Sequence, residues 1–241
     1  MTIPNRNEIP KLLSAKKAIE LIKSGDRVLV GGFGLCGTPL TCIDVITEQN
    51  QIRDLTIISN NLGEAGKGLG KLLLSRHIKK AIGSYFTSNR DAVLAWKQGL
   101  LEIEVIPQGT LAEAIRCGGA GIGGFYTKTA VGTLLSEGKE EKVINGERYI
   151  LIESIRANVA LIKAHKADTL GNLIYTKSAR NFNPIMATAA DLVIAEVDEI
   201  VMAGTLDPEH IVTPHSFVDI LVLNERYAKV GGDYVEKPTN R

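Results

Sequence analysis

Gly25-Asp-Arg-Val-Leu-Val-Gly-Gly-Phe-Gly-Leu-Cys-Gly-Thr-Pro39 changes character twice along its length. Arg27 to Val30 is a short apolar run without polar alternation, the pattern of a strand covered on both faces. Four glycines follow, Gly31, Gly32, Gly34 and Gly37. Behind them, Leu40-Thr-Cys-Ile-Asp-Val-Ile46 returns apolar residues at helical spacing. Pro39 suits a first helical position and Thr38 the cap before it. Ahead of the stretch, Ala15, Ala18, Ile19 and Ile22 form one helical stripe that Ser14 can open and Gly25 can close. The local order is helix, strand, glycine loop, helix.

The alternation continues along the chain. Leu55 to Ser59, His77 to Gly83 and Glu102 to Ile106 read as strands, Lys71 to Ser75 as part of a short helix, and Asn89 to Gln98 as a helix ending at Gly99. Thr110-Leu-Ala-Glu113 has capping-box spacing and predicts that the next helix opens there. Further strands are expected at Ile150 to Glu153, Val159 to Lys163, Leu192 to Glu196 and Asp219 to Leu223. Gly138 to Gly146 reads as a polar excursion or hairpin. Strands separated by helices predict an α/β fold: an open, mainly parallel sheet with helices on both faces. Such sheets bind ligands at the carboxyl ends of their strands, so the loops after strands are where chemistry belongs. No repeat or linker divides residues 1–241, which are expected to form a single domain.

A chain of 241 residues can bury a core without disulfides or a structural metal. Its 28 basic and 27 acidic residues leave a formal charge of +1, which signals no basic face for nucleic acid. Cys36, Cys42 and Cys117 are an odd number with no Cys-x-x-Cys pair, as in a reducing compartment. The start, MTIPNRNEIPK, lacks the apolar core of a secretion signal, and no apolar run approaches the ~18 residues of a membrane span. A cytoplasmic protein without membrane or nucleic-acid partners is expected. His77, His165, His210 and His215 show no metal-ligand spacing, so no metal is expected.

The chain has 24 glycines, about a tenth of its residues against a usual ~7%. Thirteen of them fall in three clusters: Gly31 to Gly37, Gly63 to Gly70 and Gly118 to Gly124. Glycine is useful where a backbone must lie against a ligand, so three such loops suggest one large polar ligand touching main chain. Gly32-Phe-Gly34-Leu-Cys-Gly37 also matches the dinucleotide pattern G-x-G-x-x-G. That pattern requires an acidic residue at the end of the second strand, where Asn60 and Asn61 stand instead. A dinucleotide-binding oxidoreductase is therefore a distant alternative.

At Gly25 to Pro39 the sequence resembles the alpha-subunit signature of the 3-oxoacid coenzyme A transferases. The resemblance extends through Ile58-Ser-Asn-Asn61, Pro107-Gln-Gly-Thr-Leu-Ala-Glu113, Ile115 to Phe125, Thr129-Ala-Val-Gly-Thr133, Ala164 to Asn172, Ser178-Ala-Arg-Asn-Phe-Asn-Pro184 and His210-Ile-Val-Thr-Pro214. It covers about Leu12 to Leu223. Arg116 to Phe125 and the His210 to Pro214 run look more like the bacterial acetate/butyrate-acetoacetate enzymes than the succinyl-CoA:3-oxoacid type, although Phe125-Tyr-Thr127 is shared with the latter. The resemblance implies a ping-pong exchange of coenzyme A between a short-chain acyl thioester and a carboxylate such as acetoacetate. No tightly bound cofactor is implied; the coenzyme A thioester is the substrate. In the family the nucleophile is a glutamate in a Ser-Glu-Asn-Gly context on the beta subunit. This chain has no such string, its nearest being Ser136-Glu-Gly-Lys139. A beta subunit, in a heterodimer or an α2β2 heterotetramer, is thus expected to bring the catalytic group, with none on this chain.

With that resemblance, Gly31, Gly32, Phe33, Gly34, Leu35, Cys36 and Gly37 are assigned to coenzyme A contact and to main-chain donors near the thioester oxygen. Asn60, Asn61 and Gln108 follow strands and can donate amide hydrogens to an acyl carbonyl or carboxylate. Phe125, Tyr126 and Thr127 are assigned to the border of the acyl pocket. No base accompanies Cys36 in sequence, so a thiol nucleophile is not expected. Glu196 is expected to serve structure or subunit contact.

Overall fold

The computed structural model describes residues 9–225, 227–230 and 233–236. Residues 1–8, which hold most of the start expected to lack a secretion signal, lie outside that range. The elements run β1 (Lys11–Leu12), α1 (Ala15–Ile19), β2 (Arg27–Val30), α2 (Leu40–Thr47), β3 (Leu55–Ile58), α3 (Leu69–Leu74), β4 (Ile78–Gly83), α4 (Arg90–Lys97), β5 (Glu102–Val105) and α5 (Gln108–Gly119). They continue with β6 (Gly124–Thr127), β7 (Glu141–Ile144), β8 (Glu147–Glu153), β9 (Ala157–Asp168), β10 (Leu173–Ile174), α6 (Asn183–Thr188), β11 (Ala190–Val201), β12 (Ile220–Leu223), β13 (Tyr227–Val230) and β14 (Asp233–Glu236).

Nine strands form one sheet in the order β1-β12-β11-β9-β2-β3-β4-β5, with β10 added to the end of β9. Every pair is parallel except β10 with β9. Both faces are covered, and β2 shows why its apolar run is unbroken. Val28 and Val30 enter the core under α1 to α4, while Leu29 enters the core under α5 and α6. The expected α/β class and covered parallel sheet are what the fold contains. β6, β8 and β7 form a separate antiparallel sheet, and β13 pairs with β14. The polar excursion is the β7–β8 hairpin, turned at Asn145 and Gly146 with φ of +51° and +80°, the Asn-Gly geometry that matches strand twist. No helix among the described residues is long and apolar enough to cross a membrane.

Local expectations differ from the structure at several points. α1 ends at Ile19, with Ser14 accepting from Lys17 N at 3.4 Å as its cap. At α2 it is Pro39 that occupies the cap position, while the Thr38 hydroxyl turns back to donate to Gly34 O at 3.2 Å. α5 opens at Gln108, so the Thr110–Glu113 pattern lies inside the helix; Thr110 is buried and Glu113 pairs with Arg116 at 2.8 Å. β9 and β11 each run twelve residues, through the polar Lys163 and Glu196 at which they were expected to stop. The Lys163 ammonium is held by Asp198 on the neighbouring strand, so the ladder continues without stranding a charge.

Candidate functional site

The sheet reverses its direction of growth between β2 and β9. From β2 the chain adds β3, β4 and β5 outward in turn; it then returns to β9 on the other side of β2 and builds outward through β11 and β12. In open parallel sheets such a switch point leaves a crevice at the carboxyl ends of the strands. The Gly31 to Gly37 loop leaves β2 at this crevice.

Gly31 N donates to Leu161 O at 2.9 Å, the last ladder bond between β2 and β9. Phe33 and Cys36 then exchange two backbone bonds, of 3.0 and 3.2 Å, around Gly34 and Leu35. Gly34 has a φ of +64° at the first turn position, which an L side chain resists. Among the described residues, the N–H groups of Gly34 and Leu35 have no hydrogen-bond partner. The loop therefore ends in two adjacent unsatisfied donors, an arrangement suited to an oxygen carrying negative charge. Phe33 is 55% exposed beside them. The Cys36 thiol is exposed and lies 3.5 Å from Ser178 Oγ, with no base beside it.

At the next strand ends, Asn60 Nδ2 donates to Gln108 Oε1 at 2.6 Å. Asn61 Nδ2 donates to Asn60 Oδ1 at 3.1 Å, and Asn61 Oδ1 accepts from Gly63 N at 2.8 Å. The structure thus joins these sequence-selected amides into one chain. Asn60 and Asn61 are buried and Gln108 is exposed, so Gln108 is the end that can reach a ligand. Ser84, which sequence reasoning missed, follows β4 at the same end of the sheet. Its backbone N–H donates to Asn60 O at 3.0 Å, and its Oγ is buried without a partner among the described residues. The only signal for it in sequence was its place one residue beyond a strand.

The second glycine cluster follows β3 and touches the first, because a β-carbon on Gly68 would stand 2.9 Å from Leu35 Cδ2. The third cluster does not join them. Gly118 and Gly119 are the last residues of α5, and side chains there would strike Ile155 O and Thr188 Oγ1, both at 2.0 Å. These are packing glycines at a helix end rather than a ligand loop after a strand. Phe125, Tyr126 and Thr127 lie on β6 of the small sheet, which packs against α5, the helix that Gln108 opens. Phe125 packs on the core shared with α5 and α6, the Tyr126 hydroxyl donates to the Glu140 carboxylate, and Thr127 Oγ1 accepts from Thr129 N at 3.1 Å.

Behind the loop, Glu196 reaches from β11 to the first turn of α2. Its Oε2 accepts from Cys42 N at 3.0 Å, while its Oε1 is buried without a partner among the described residues. Pro39 offers no side-chain cap, so Glu196 caps α2 from another element. Burial pushes the Glu196 carboxyl up to about 7, against the Lys163 charge and the Cys42 backbone bond. Burial, then Glu196, raise the Cys42 thiol well above its ordinary value. Burial would also raise Asp198, but the charge and hydrogen bond of Lys163, with the bond from Asn224, outweigh it and hold that carboxyl low. Glu196 therefore lies beneath the loop rather than open to the crevice. The carboxylate of the second loop, Glu64, pairs with Lys67 at 3.6 Å.

Ser178 to Pro184, which only the family resemblance had singled out, runs along the glycine loop. Asn181 and Asn183 bond to Gly32, Cys36 and Gly37 across the switch point.

The Coenzyme A transferase family matches residues 12–224 of this chain. The chain is 52% identical over 218 residues to the A subunit of a probable succinyl-CoA:3-ketoacid coenzyme A transferase of Bacillus subtilis (strain 168), covering 90% of this chain and 91% of the relative. It is 42% identical over 215 residues to the alpha subunit of the acetate CoA-transferase of Escherichia coli (strain K12), covering 89% and 97%. A solved acyl-CoA transferase from Escherichia coli O157:H7, in a thioester complex with CoA, shares the fold with a TM-score of 0.81 at 22% identity. That structure takes in 97% of this chain, which spans 50% of the longer one. The oxidoreductase alternative finds no support in these relatives, and β3 ends in paired amides where a dinucleotide would need an acid. With a parallel sheet, donor-bearing loops at its switch point and relatives matched along almost their whole length, the chain belongs to the coenzyme A transferase family, in its alpha-subunit branch.

Proposed function

We propose that this chain supplies the coenzyme A and acyl-binding loops of a transferase whose nucleophilic glutamate comes from a beta subunit. The observation that carries the reading is the pair of unsatisfied N–H groups at Gly34 and Leu35, beside an amide chain ending in Gln108. In the reaction the resemblance implies, the partner's carboxylate attacks the thioester carbon and expels the coenzyme A thiolate, forming an acyl anhydride. The thiolate then attacks the glutamyl carbon, releases the product acid and leaves an enzyme thioester. The acceptor acid reverses the two steps. Each attack places negative charge on a carbonyl oxygen, which backbone and amide donors stabilise. Gly34 and Leu35 are suited to one such oxygen, and Gln108 Nε2, with the Ser84 hydroxyl, to the acid.

The proposed donors are acetyl-CoA or butyryl-CoA and the acceptor acetoacetate. A second reading, succinyl-CoA with a 3-oxoacid, is favoured by the higher identity to the Bacillus subtilis relative. The proposal includes a heterodimer or α2β2 heterotetramer, one domain over residues 1–241, no resident cofactor and a cytoplasmic site, the last in keeping with three free cysteines. The test is to produce the chain alone and together with its beta partner, then follow acetoacetyl-CoA formation from acetyl-, butyryl- and succinyl-CoA. Activity is expected only from the pair, and the fastest donor decides the acid. Full activity from this chain alone would overturn the divided site.

A further inference from the structure

We infer that Asn181 and Asn183 are positioning residues that clamp the glycine loop from the far wing of the sheet and aim the adjacent N–H groups of Gly34 and Leu35 at its tip. The inference rests on the function proposed above for what the loop does, but not for how the loop is held.

The clamp begins where β2 ends. Gly31 N has used Leu161 O, and the next donor on β9, Lys163 N, would need a further β2 residue as acceptor. The chain has turned away by then, and Asn183 Oδ1 takes that hydrogen at 2.8 Å. The same side chain donates through Nδ2 to Gly37 O at 3.0 Å and to Ala179 O at 2.9 Å. Asn183 is fully buried, so each of these groups would otherwise be stranded away from water. One amide thus continues the ladder and also fixes the exit of the loop.

Asn181 holds the entrance and the tip. Its Oδ1 accepts from Gly32 N at 3.1 Å and Phe182 N at 2.7 Å, while its Nδ2 donates to Cys36 O and Ser178 O, both at 3.0 Å. The backbone of Asn181 has a φ of +20° and ψ of −119°, outside the regions that a non-glycine residue prefers. Five side-chain bonds hold it there, the fifth from Asn183 Nδ2 to its Oδ1 at 3.4 Å, and strain maintained in this way marks a position where geometry is constrained. Cys36 O is also the acceptor for Phe33 N, so Asn181 pins one side of the two-residue turn whose other side presents Gly34 and Leu35.

The glycines support the same account. A β-carbon on Gly37 would stand 2.4 Å from Ala179 O and 2.8 Å from Asn181 Nδ2, so this glycine makes room for the clamp. At Gly34 a β-carbon would meet nothing within 4 Å. The held positions and the ligand-facing position are therefore different residues of one motif.

The test uses Asn181→Ala and Asn181→Asp, with Asn183→Ala as a companion, in the full chain with its beta subunit. Asn181→Ala is expected to speed amide exchange in the Gly31–Gly37 peptide by about tenfold, as local opening becomes easier. It should lower kcat by about tenfold at nearly unchanged KM, because donors that drift lose transition-state contacts first. Asn181→Asp keeps the acceptor for Gly32 N and should recover part of both effects. A folded Asn181→Ala with wild-type exchange in this peptide would overturn the clamp, even if Asn183→Ala fails to fold. If no pairing gives transferase activity, the proposed function fails while the exchange measurement still decides this inference.

Discussion

Asn183 Oδ1 stands 1.8 Å from the point where a β-carbon on Gly31 would lie. The two positions are complementary: the first glycine of the motif has no side chain, and an amide from α6 fills the space. Gly31→Ala should therefore cost about 1–3 kcal/mol as an overpacking change. Asn183→Ala should cost a similar amount, roughly 1–3 kcal/mol, because the Lys163 N–H loses its acceptor. Combined, they should cost less than their sum by at least ~0.5 kcal/mol, since the second change opens the space that the first requires. Urea unfolding of the four chains measures this, and strict additivity would deny the contact.

Gly34 is a different case. It has positive φ but open surroundings, so Gly34→Ala should cost only about 1–2 kcal/mol, from the backbone alone. Transferase activity should nevertheless drop by ~10-fold or more, because a methyl group then stands beside the free donors. Parallel melting curves and steady-state rates separate the two effects. Activity that merely tracks the melting temperature would remove the tip from the site.

Gln108 is exposed and accepts from buried Asn60. Gln108→Leu should lower kcat by about 10²-fold if its Nε2 acts on the reacting acyl group or acid. The stability cost should stay near ~1–3 kcal/mol, that of the stranded Asn60 amide. Rates and unfolding midpoints of the same preparation check both numbers; a near-native kcat would confine Gln108 to holding Asn60.

Glu196 supplies a pH test. Its folded pKa is about 7 against an ordinary 4.5, so the folded chain holds this proton more tightly than the unfolded one. Protonation thus contributes stability that is fully present below pH 4.5 and is lost as pH rises through about 7. The groups facing it are Lys163 on β9, Asp198 on β11 and Cys42 on α2. Glu196→Gln removes the titration, so its melting temperature relative to the parent should rise from about pH 5 to about pH 8. The change over that window should be roughly 2–3 kcal/mol. A constant difference across the window would show that Glu196 stays ionised.

Much of the local structure was legible. Arg27–Val30 is the predicted strand to the residue, because both of its faces are buried and the apolar run reports that directly. Asn89 caps α4 through a 3.1 Å bond from Asp91 N, and Gly99 closes it with a φ of +70°. Asn60, Asn61 and Gln108 meet in one hydrogen-bonded chain because residues just after parallel strands share one end of the sheet. Where reading failed, a distant contact had replaced a local rule. β9 runs past Lys163 because Asp198 answers its charge, and α5 starts early because Thr110 is buried rather than capping. The third cluster was misread because glycine serves close packing as well as ligand approach, and composition does not separate the two.

Strand, loop and helix follow from periodicity and glycine placement, which act over a few neighbouring residues and are written into any stretch of chain. The sequence by itself therefore determined that a glycine loop follows a buried strand, and that amides follow the next strands. Only the tertiary structure decided which of those loops meet and what holds them. Gly32 and Asn181 are 149 residues apart and bond only because β9 returns to the flank of β2. Pairing of that kind depends on sheet order, which is chosen by the packing of whole layers and leaves no local pattern around either residue.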